Sequence, residues 1–172
     1  MIKKLLFCLS ILAGFTGCKK NDSGTGYMKV RMTDAPGTYQ QVNVDILQVR
    51  IHLVEANGNS SWIDLPTNAG IYDLLALQNG IDTTIANTIN IPQGVITQMR
   101  LVLGNNNTVM ADSIVYDLQT PSGQTSGVKL NGNMIVPAND TLFVLLDFVA
   151  SESVVQHGNG EFHLKPVIRV LP

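Results

Sequence analysis

The segment Val42-Asn43-Val44-Asp45-Ile46-Leu47-Gln48-Val49-Arg50-Ile51-His52-Leu53 changes phase halfway along. Val42, Val44 and Ile46 occupy alternate positions. Val49, Ile51 and Leu53 do the same, one residue out of step. Alternation of period two describes a half-buried β-strand, and a slip of one residue turns an apolar set to the opposite side. A bulge or bend is therefore predicted near Leu47-Gln48. Asn57-Gly58-Asn59 then reads as a hairpin turn into Trp62-Ile63-Asp64-Leu65.

The same period continues outward in both directions. Met28, Val30 and Met32 alternate with Lys29 and Arg31, and Thr33-Asp34-Ala35-Pro36-Gly37 ends that strand. Ile71 to Leu77 fits either a short strand or a single helical turn. Thr83 to Ile91 leads through the turn Ile91-Pro92-Gln93-Gly94 to a strand carrying Met99, Leu101 and Leu103. Asn105-Asn106-Asn107 reads as a loop, Thr108 to Leu118 as one or two short strands, and Pro121 to Gly127 as a turn before Val128. Leu142 to Leu146 lacks alternation, which fits a central strand covered on both sides. Phe162, Leu164, Pro166, Ile168 and Val170 alternate with His163, Lys165 and Arg169 on one last strand. Pro166 has no N–H to give a ladder and puts that strand at an edge or bulge. Many short strands, few helix signals and frequent Gly, Asn and Pro turns define the expected fold class: an all-β, antiparallel β-sandwich of transthyretin/immunoglobulin-like kind.

The N-terminus carries an address. Met1-Ile2-Lys3-Lys4 is cationic, Leu5 to Ala13 is apolar apart from Ser10, and Gly14-Phe15-Thr16-Gly17 closes the run with mostly small residues before Cys18. This layout belongs to a secretory signal, and the cysteine after Gly17 makes it resemble a bacterial lipoprotein signal, cut before Cys18 with diacylglycerol on the thiol. The pattern's usual leucine three places before the cysteine is Phe15 here. A transmembrane anchor needs roughly 20 apolar residues and does not fit; an ordinary secretory signal would leave Cys18 a free thiol. The expected organisation is a signal over 1–17, a flexible tether over 18–26 and a β-sandwich domain over 27–172.

Charge and cysteine usage exclude several functions. The formal charge is −2 and becomes about −4 once Lys3 and Lys4 are removed. That balance opposes nucleic acid as a partner. The chain holds two cysteines, Cys8 in the signal and Cys18 at its end. The domain itself then has no thiol for a disulfide, a cysteine-ligated metal or thiol catalysis.

Asn90-Ile91-Pro92-Gln93-Gly94-Val95-Ile96 resembles the hairpin of transthyretin-like and pilin-type sandwich modules, with Val95-Ile96 where a tyrosine is usual. More broadly, the body resembles the bacterial lipoprotein family with domain of unknown function 4382. The likeness lies in Val30-Arg31-Met32-Thr33-Asp34-Ala35-Pro36, Tyr72 to Gly80, Gln98-Met99-Arg100-Leu101-Val102-Leu103, Ser122 to Leu130, Leu145-Leu146-Asp147-Phe148 through Val155, Gly158-Asn159-Gly160 and Leu164 to Val170. It runs from about Gly26 to Pro172. Where the family often has a second acid after Leu-Asp-Phe, this chain has Val149. The resemblance implies a fold and an envelope location, and it brings no activity with it.

Candidate chemistry is sparse. His52, His157 and His163 have no nucleophile framed beside them, and no Gly-x-Ser-x-Gly elbow occurs. Asp34 and Asp147 would serve as oxygen ligands for Ca²⁺ in a functional reading. In a structural one, Asp34 closes an Asx-turn around Ala35-Pro36 and Asp147 pairs with a strand arginine. No Asp-x-Asp-x-Asp-Gly loop accompanies them, and the structural reading is preferred. Lys29, Arg31, Arg50, Arg100, Lys129, Lys165 and Arg169 all fall in expected strands. Aligned on one face, they would bind an anionic polysaccharide or phosphate; Arg31, Arg100, Lys165 and Arg169 are the candidate ligand-binding residues. Trp62, Tyr39, Tyr72 and Tyr116 are available to stack on sugars, although the sequence puts them on no common platform.

The chain is thus expected to be an outer-membrane lipoprotein, periplasmic or surface-facing, held at Cys18. Its expected role is that of a non-catalytic binding or assembly module with a glycan or envelope protein as partner, and no cofactor beyond a Ca²⁺ option. The alternative is a structural or adhesive subunit joined through strand edges. A hydrolase using Asp34 and Asp147 is the least favoured class.

Overall fold

A computed structural model describes residues 24–120, 126–158 and 160–171. The signal over 1–17, Cys18, most of the tether and the core of the turn expected at Pro121 to Gly127 lie outside the described residues. The strands are β1 (Thr25–Thr33), β2 (Gln41–Glu55), β3 (Ser60–Leu65), β4 (Gly70–Asp73), β5 (Thr83–Pro92), β6 (Gly94–Leu103), β7 (Thr108–Ala111), β8 (Ile114–Gln119), β9 (Val128–Val136), β10 (Thr141–Phe148), β11 (Val154–Gln156), β12 (Phe162–Leu164) and β13 (Ile168–Leu171). Ile71 to Leu77 turns out to hold both expected forms: the end of β4, then a 3₁₀ turn over Leu74–Leu77 whose first free N–H, on Leu75, is accepted by Asp73. β1 opens at Thr25, inside the stretch expected to be tether.

The strands form two sheets around one apolar core, an all-β sandwich. The smaller has the order β13-β10-β1-β5. The larger runs β11-β12-β8-β7-β2-β6-β9, with β3 and β4 also paired to β2. Both sheets are mixed rather than purely antiparallel, because β1 runs parallel to β10 and β12 parallel to β8. No helix among the described residues is long and apolar enough to cross a membrane.

β2 is the spine of the larger sheet. One edge meets β7 and then β6; the other meets β4 and then β3. Its phase change is resolved by a bulge: Ile46 faces Leu103 while Gln48 faces Val102, so Leu47 is the extra residue. The bulge turns Leu47 outward, where it is 48% exposed, and keeps Val42, Val44, Ile46, Val49, Ile51 and Leu53 all on the core side at 0%. The gap between β4 and β3 is filled by side chains. Thr67 Oγ1 accepts the Val49 N–H at 2.9 Å, and Gln48 Nε2 donates to the Leu65 carbonyl at 2.9 Å. On the other side, the Asn105–Asn107 loop is tied to β2: Asn107 Oδ1 accepts the Asp45 N–H at 2.8 Å and Asn106 Nδ2 donates to Asp45 at 2.9 Å. Buried polar groups satisfied in this way fix a register instead of weakening it.

Two expectations about the C-terminal half are corrected. β10 is an interior strand, but only one face is covered, since Phe143 is 65% exposed. Its non-alternating sequence reflects apolar residues on an open face rather than a second layer. The single last strand is in fact two, β12 in the larger sheet and β13 in the smaller. Pro166 falls between them, where a residue without an N–H interrupts no ladder. Phe162 and Leu164 are buried as expected, whereas Val170 is 39% exposed.

Gly94 opens β6 against the end of β2. A Cβ there would collide with the Val54 carbonyl oxygen and lie 2.9 Å from the Glu55 Cα. Both obstacles are backbone, which yields less readily than a side chain. Gly94→Ala is expected to lower stability by about 1–3 kcal/mol in urea unfolding, the usual penalty for overpacking. An unchanged midpoint would show that the hairpin end gives way freely.

Candidate functional site

The outward positions of β3, β2, β6 and β9 fall into register across the larger sheet. Asp64 faces Arg50, Arg50 faces Arg100, and Arg100 faces Lys129. In the adjoining row Trp62 faces His52, His52 faces Gln98, and Gln98 faces Asn131. Their inward neighbours Ile51, Met99, Leu101, Leu130 and Leu65 are buried in the core. The alternation that packs the sheet therefore also sends these eight polar and aromatic side chains to one face.

Trp62 is the centre of this surface. The Arg100 guanidinium carbon lies 4.7 Å from the ring centroid and that of Arg50 lies 5.7 Å away; the His52 ring centroid is at 5.2 Å, tilted by 55°. β3 and β6 flank β2, about 9.6 Å apart, so the indole must lie across β2 to reach Arg100. Guanidinium groups over an indole are held by its quadrupole while keeping N–H groups in the ring plane free. Trp62 is 38% exposed and presents ring surface to solvent.

The polar neighbours hold one another in place. Arg100 Nε donates to Gln98 Oε1 at 3.1 Å and Nη1 to the Ser126 carbonyl at 3.2 Å. Gln98 Nε2 donates to Asn131 at 3.3 Å, His52 Nδ1 is 2.9 Å from Thr97 Oγ1, and Arg50 is ion-paired to Asp64. Lys129 is exposed and makes no ion pair among the described residues. Three cations thus face one carboxylate on this surface.

Of the four candidate ligand-binding residues, the structure brings only Arg100 to this face. Arg31 is bound through two nitrogens to Asp82 beside the smaller sheet. Arg169 pairs with Glu152 at 2.6 Å and reaches Asp147 at 3.9 Å, and Lys165 is exposed where the chain changes sheets. Arg50, Lys129 and Trp62 were visible as residue types but not as neighbours. The part played by His52, Gln98, Asn131 and Asp64 was missed. Half of it was in reach: the hairpin at Asn57-Gly58-Asn59 pairs His52 with Trp62 and Arg50 with Asp64.

Asp34 and Asp147 lie elsewhere and are occupied with the fold. Asp34, 4% exposed, accepts the Ala150 N–H at 2.8 Å and the Gln78 amide at 2.9 Å, and its own N–H donates to the Leu77 carbonyl at 3.1 Å. The expected Asx-turn gives way to these distant partners; Pro36, two residues on, has no N–H to offer. Burial raises the Asp34 pKa above 3.8; the Ala150 and Gln78 hydrogen bonds oppose that rise and the charge on Asp147 adds to it. Asp147 faces Arg169 across β10 and β13, as the structural reading has it, and its Oδ1 is buried with no partner among the described residues. Among the described residues no three His, Cys, Asp or Glu side chains are grouped to hold a metal ion. A cavity of about 310 Å³ lined by Thr38, Tyr39, Gln40, Met110, Ala111 and Asp112 contains neither aspartate and no histidine.

The fold and this surface define an all-β sandwich domain with an open aromatic and cationic sheet face. The chain belongs to the family described as Domain of unknown function (DUF4382), whose model matches residues 25–166. No curated protein and no solved structure matches it.

Proposed function

We propose that this protein is an envelope lipoprotein, held in the membrane by lipid on Cys18, and that its domain is a non-catalytic binding or assembly module for a glycan or protein partner. The observation that carries the reading is the convergence of Trp62, Arg50, Arg100 and Lys129 on one uncovered face. An open face suits a polymer laid across it better than a small substrate closed off from water. For the anchor, Cys18→Ala is expected to move the protein from the membrane pellet to the soluble envelope fraction; retention in the pellet would overturn it. For the face, capture of envelope glycans or proteins should weaken in Trp62→Ala, and equal capture by both forms would count against this surface.

Assembly through strand edges is the competing reading. The free side of β5 is covered by residues 66–68, with Asn68 N–H donating to Ile85 and Asn87 N–H to Pro66. That leaves β13 as the accessible edge of the smaller sheet. Concentration-dependent oligomers would favour this alternative.

A further inference from the structure

We infer that the occupant of the Trp62 face is a carboxylated glycan, a chain of hexuronate residues, bound across β3, β2, β6 and β9. This rests on the reading of that face as a binding surface and goes on to name the ligand chemistry.

Each part of a uronate chain has a counterpart in the face. A pyranose ring presents an apolar C–H face, and the exposed surface of Trp62 is the large flat apolar group among these eight side chains. The carboxylates of such a chain recur along one direction, and so do the cations: Arg50, Arg100 and Lys129 sit on three adjacent strands. From β3 to β9 this row spans about 14 Å at the usual strand spacing, a length that a short oligosaccharide covers. Hydroxyl groups need partners that both donate and accept, and Gln98, Asn131 and His52 supply them in the next row.

The charge pattern separates carboxylate from neutral sugars. Among the described residues, Arg50 is the one cation of the three on this face with a carboxylate partner. Asp64 shows that a carboxylate fits beside the Arg50 guanidinium, which it meets through the single Nε–H. Arg100 is positioned through Nε and Nη1, with no partner for Nη2 among the described residues. An acidic peptide would satisfy the cations and offer backbone amides to the Gln98–Asn131 row, yet a glutamate chain has no flat apolar face to lay on the indole.

Trp62 is the only tryptophan in the chain, so its fluorescence reports this face alone. Full-length protein in detergent is titrated with oligosaccharides of galacturonate, mannuronate and glucuronate, with neutral and sulfated oligosaccharides of equal length, and with poly-glutamate. At least one uronate series is expected to change the emission and to bind about ten-fold tighter than its neutral counterpart, a factor that shrinks as salt screens the cations. Lys129→Glu, an exposed change that leaves the core untouched, should weaken uronate binding by about ten-fold or more, and Trp62→Ala should do the same by calorimetry. Tighter binding of neutral or sulfated glycans or of poly-glutamate overturns the uronate inference while leaving a binding face. Failure of every uronate to bind, by emission and by calorimetry, overturns the inference; the reading it rests on falls only if Trp62→Ala also captures envelope glycans and proteins as well as the parent does.

Discussion

Deletion of Arg50 is expected to abolish cooperative folding, whereas deletion of Leu47 leaves the domain folded; the contrast follows from the bulge, whose extra residue is Leu47. Without Leu47, Ile46 still faces Leu103 and Gln48 still faces Val102, and Val42, Val44, Ile46, Val49, Ile51 and Leu53 fall on one side by plain alternation. Without Arg50 the phase changes where no bulge absorbs it, so Ile51 and Leu53 turn to solvent while His52 enters the core. Both apolar side chains are fully buried, and burying one contributes about 1.5–3 kcal/mol. The loss of roughly 3–6 kcal/mol, with an imidazole buried as well, is comparable with the whole stability of an ordinary domain. Circular dichroism across a urea gradient checks this. An Arg50 deletion with a sharp transition near the parent's would show that β2 forms a bulge wherever it needs one, and a Leu47 deletion without a transition would show that the bulge itself is required.

The same segment shows what sequence can say about this fold. Two apolar sets one residue out of step leave few solutions if both are to be buried, and Asn57-Gly58-Asn59 fixes the partner on the next strand. What lies beyond the hairpin is set by contacts with no local trace. β1 pairs in parallel with β10, Tyr27 opposite Thr141, and nothing in Met28 to Met32 distinguishes a parallel from an antiparallel neighbour. Lys165 to Val167 continues the alternation while the backbone leaves one sheet for the other. Phe143 and Leu145 look like a second buried face but lie on an open one. The candidate site divides in the same way. Trp62, His52, Arg50 and Asp64 follow from one tight turn. Arg100 joins them only because β6 packs along the other edge of β2, with its register adjusted between Gln98 and Ile96. No reading of β6 by itself brings a guanidinium to that indole.

Asp34→Ala is expected to destabilise the domain by about 3 kcal/mol, and Asp34→Asn by less than about 1 kcal/mol at neutral pH. Alanine leaves the buried Ala150 N–H without an acceptor and releases the Gln78 amide, so β1 is no longer tied to the segments after β10 and β4. Asparagine keeps an oxygen for Ala150, and Gln78 can turn its own oxygen toward the new amide. It also removes a charge that the site holds at a disadvantage, since burial and then the nearby Asp147 raise the Asp34 pKa above 3.8. The direction with pH follows from that shift. The folded state keeps the Asp34 proton to higher pH than the unfolded chain does, so this group's contribution is fully present below 3.8 and is lost as pH rises through its folded value. The stability of Asp34→Asn relative to the parent should therefore improve as pH rises from 3.8 through the folded value and level off above it. Urea unfolding of both proteins across that range measures the difference, in which the other carboxylates cancel. Parallel curves would mean that Asp34 is no harder to ionise in the fold than in the open chain. The geometry argues against that outcome: Asp34 is 4% exposed, and the hydrogen bonds from Ala150 and Gln78 do not offset the cost of holding its charge there.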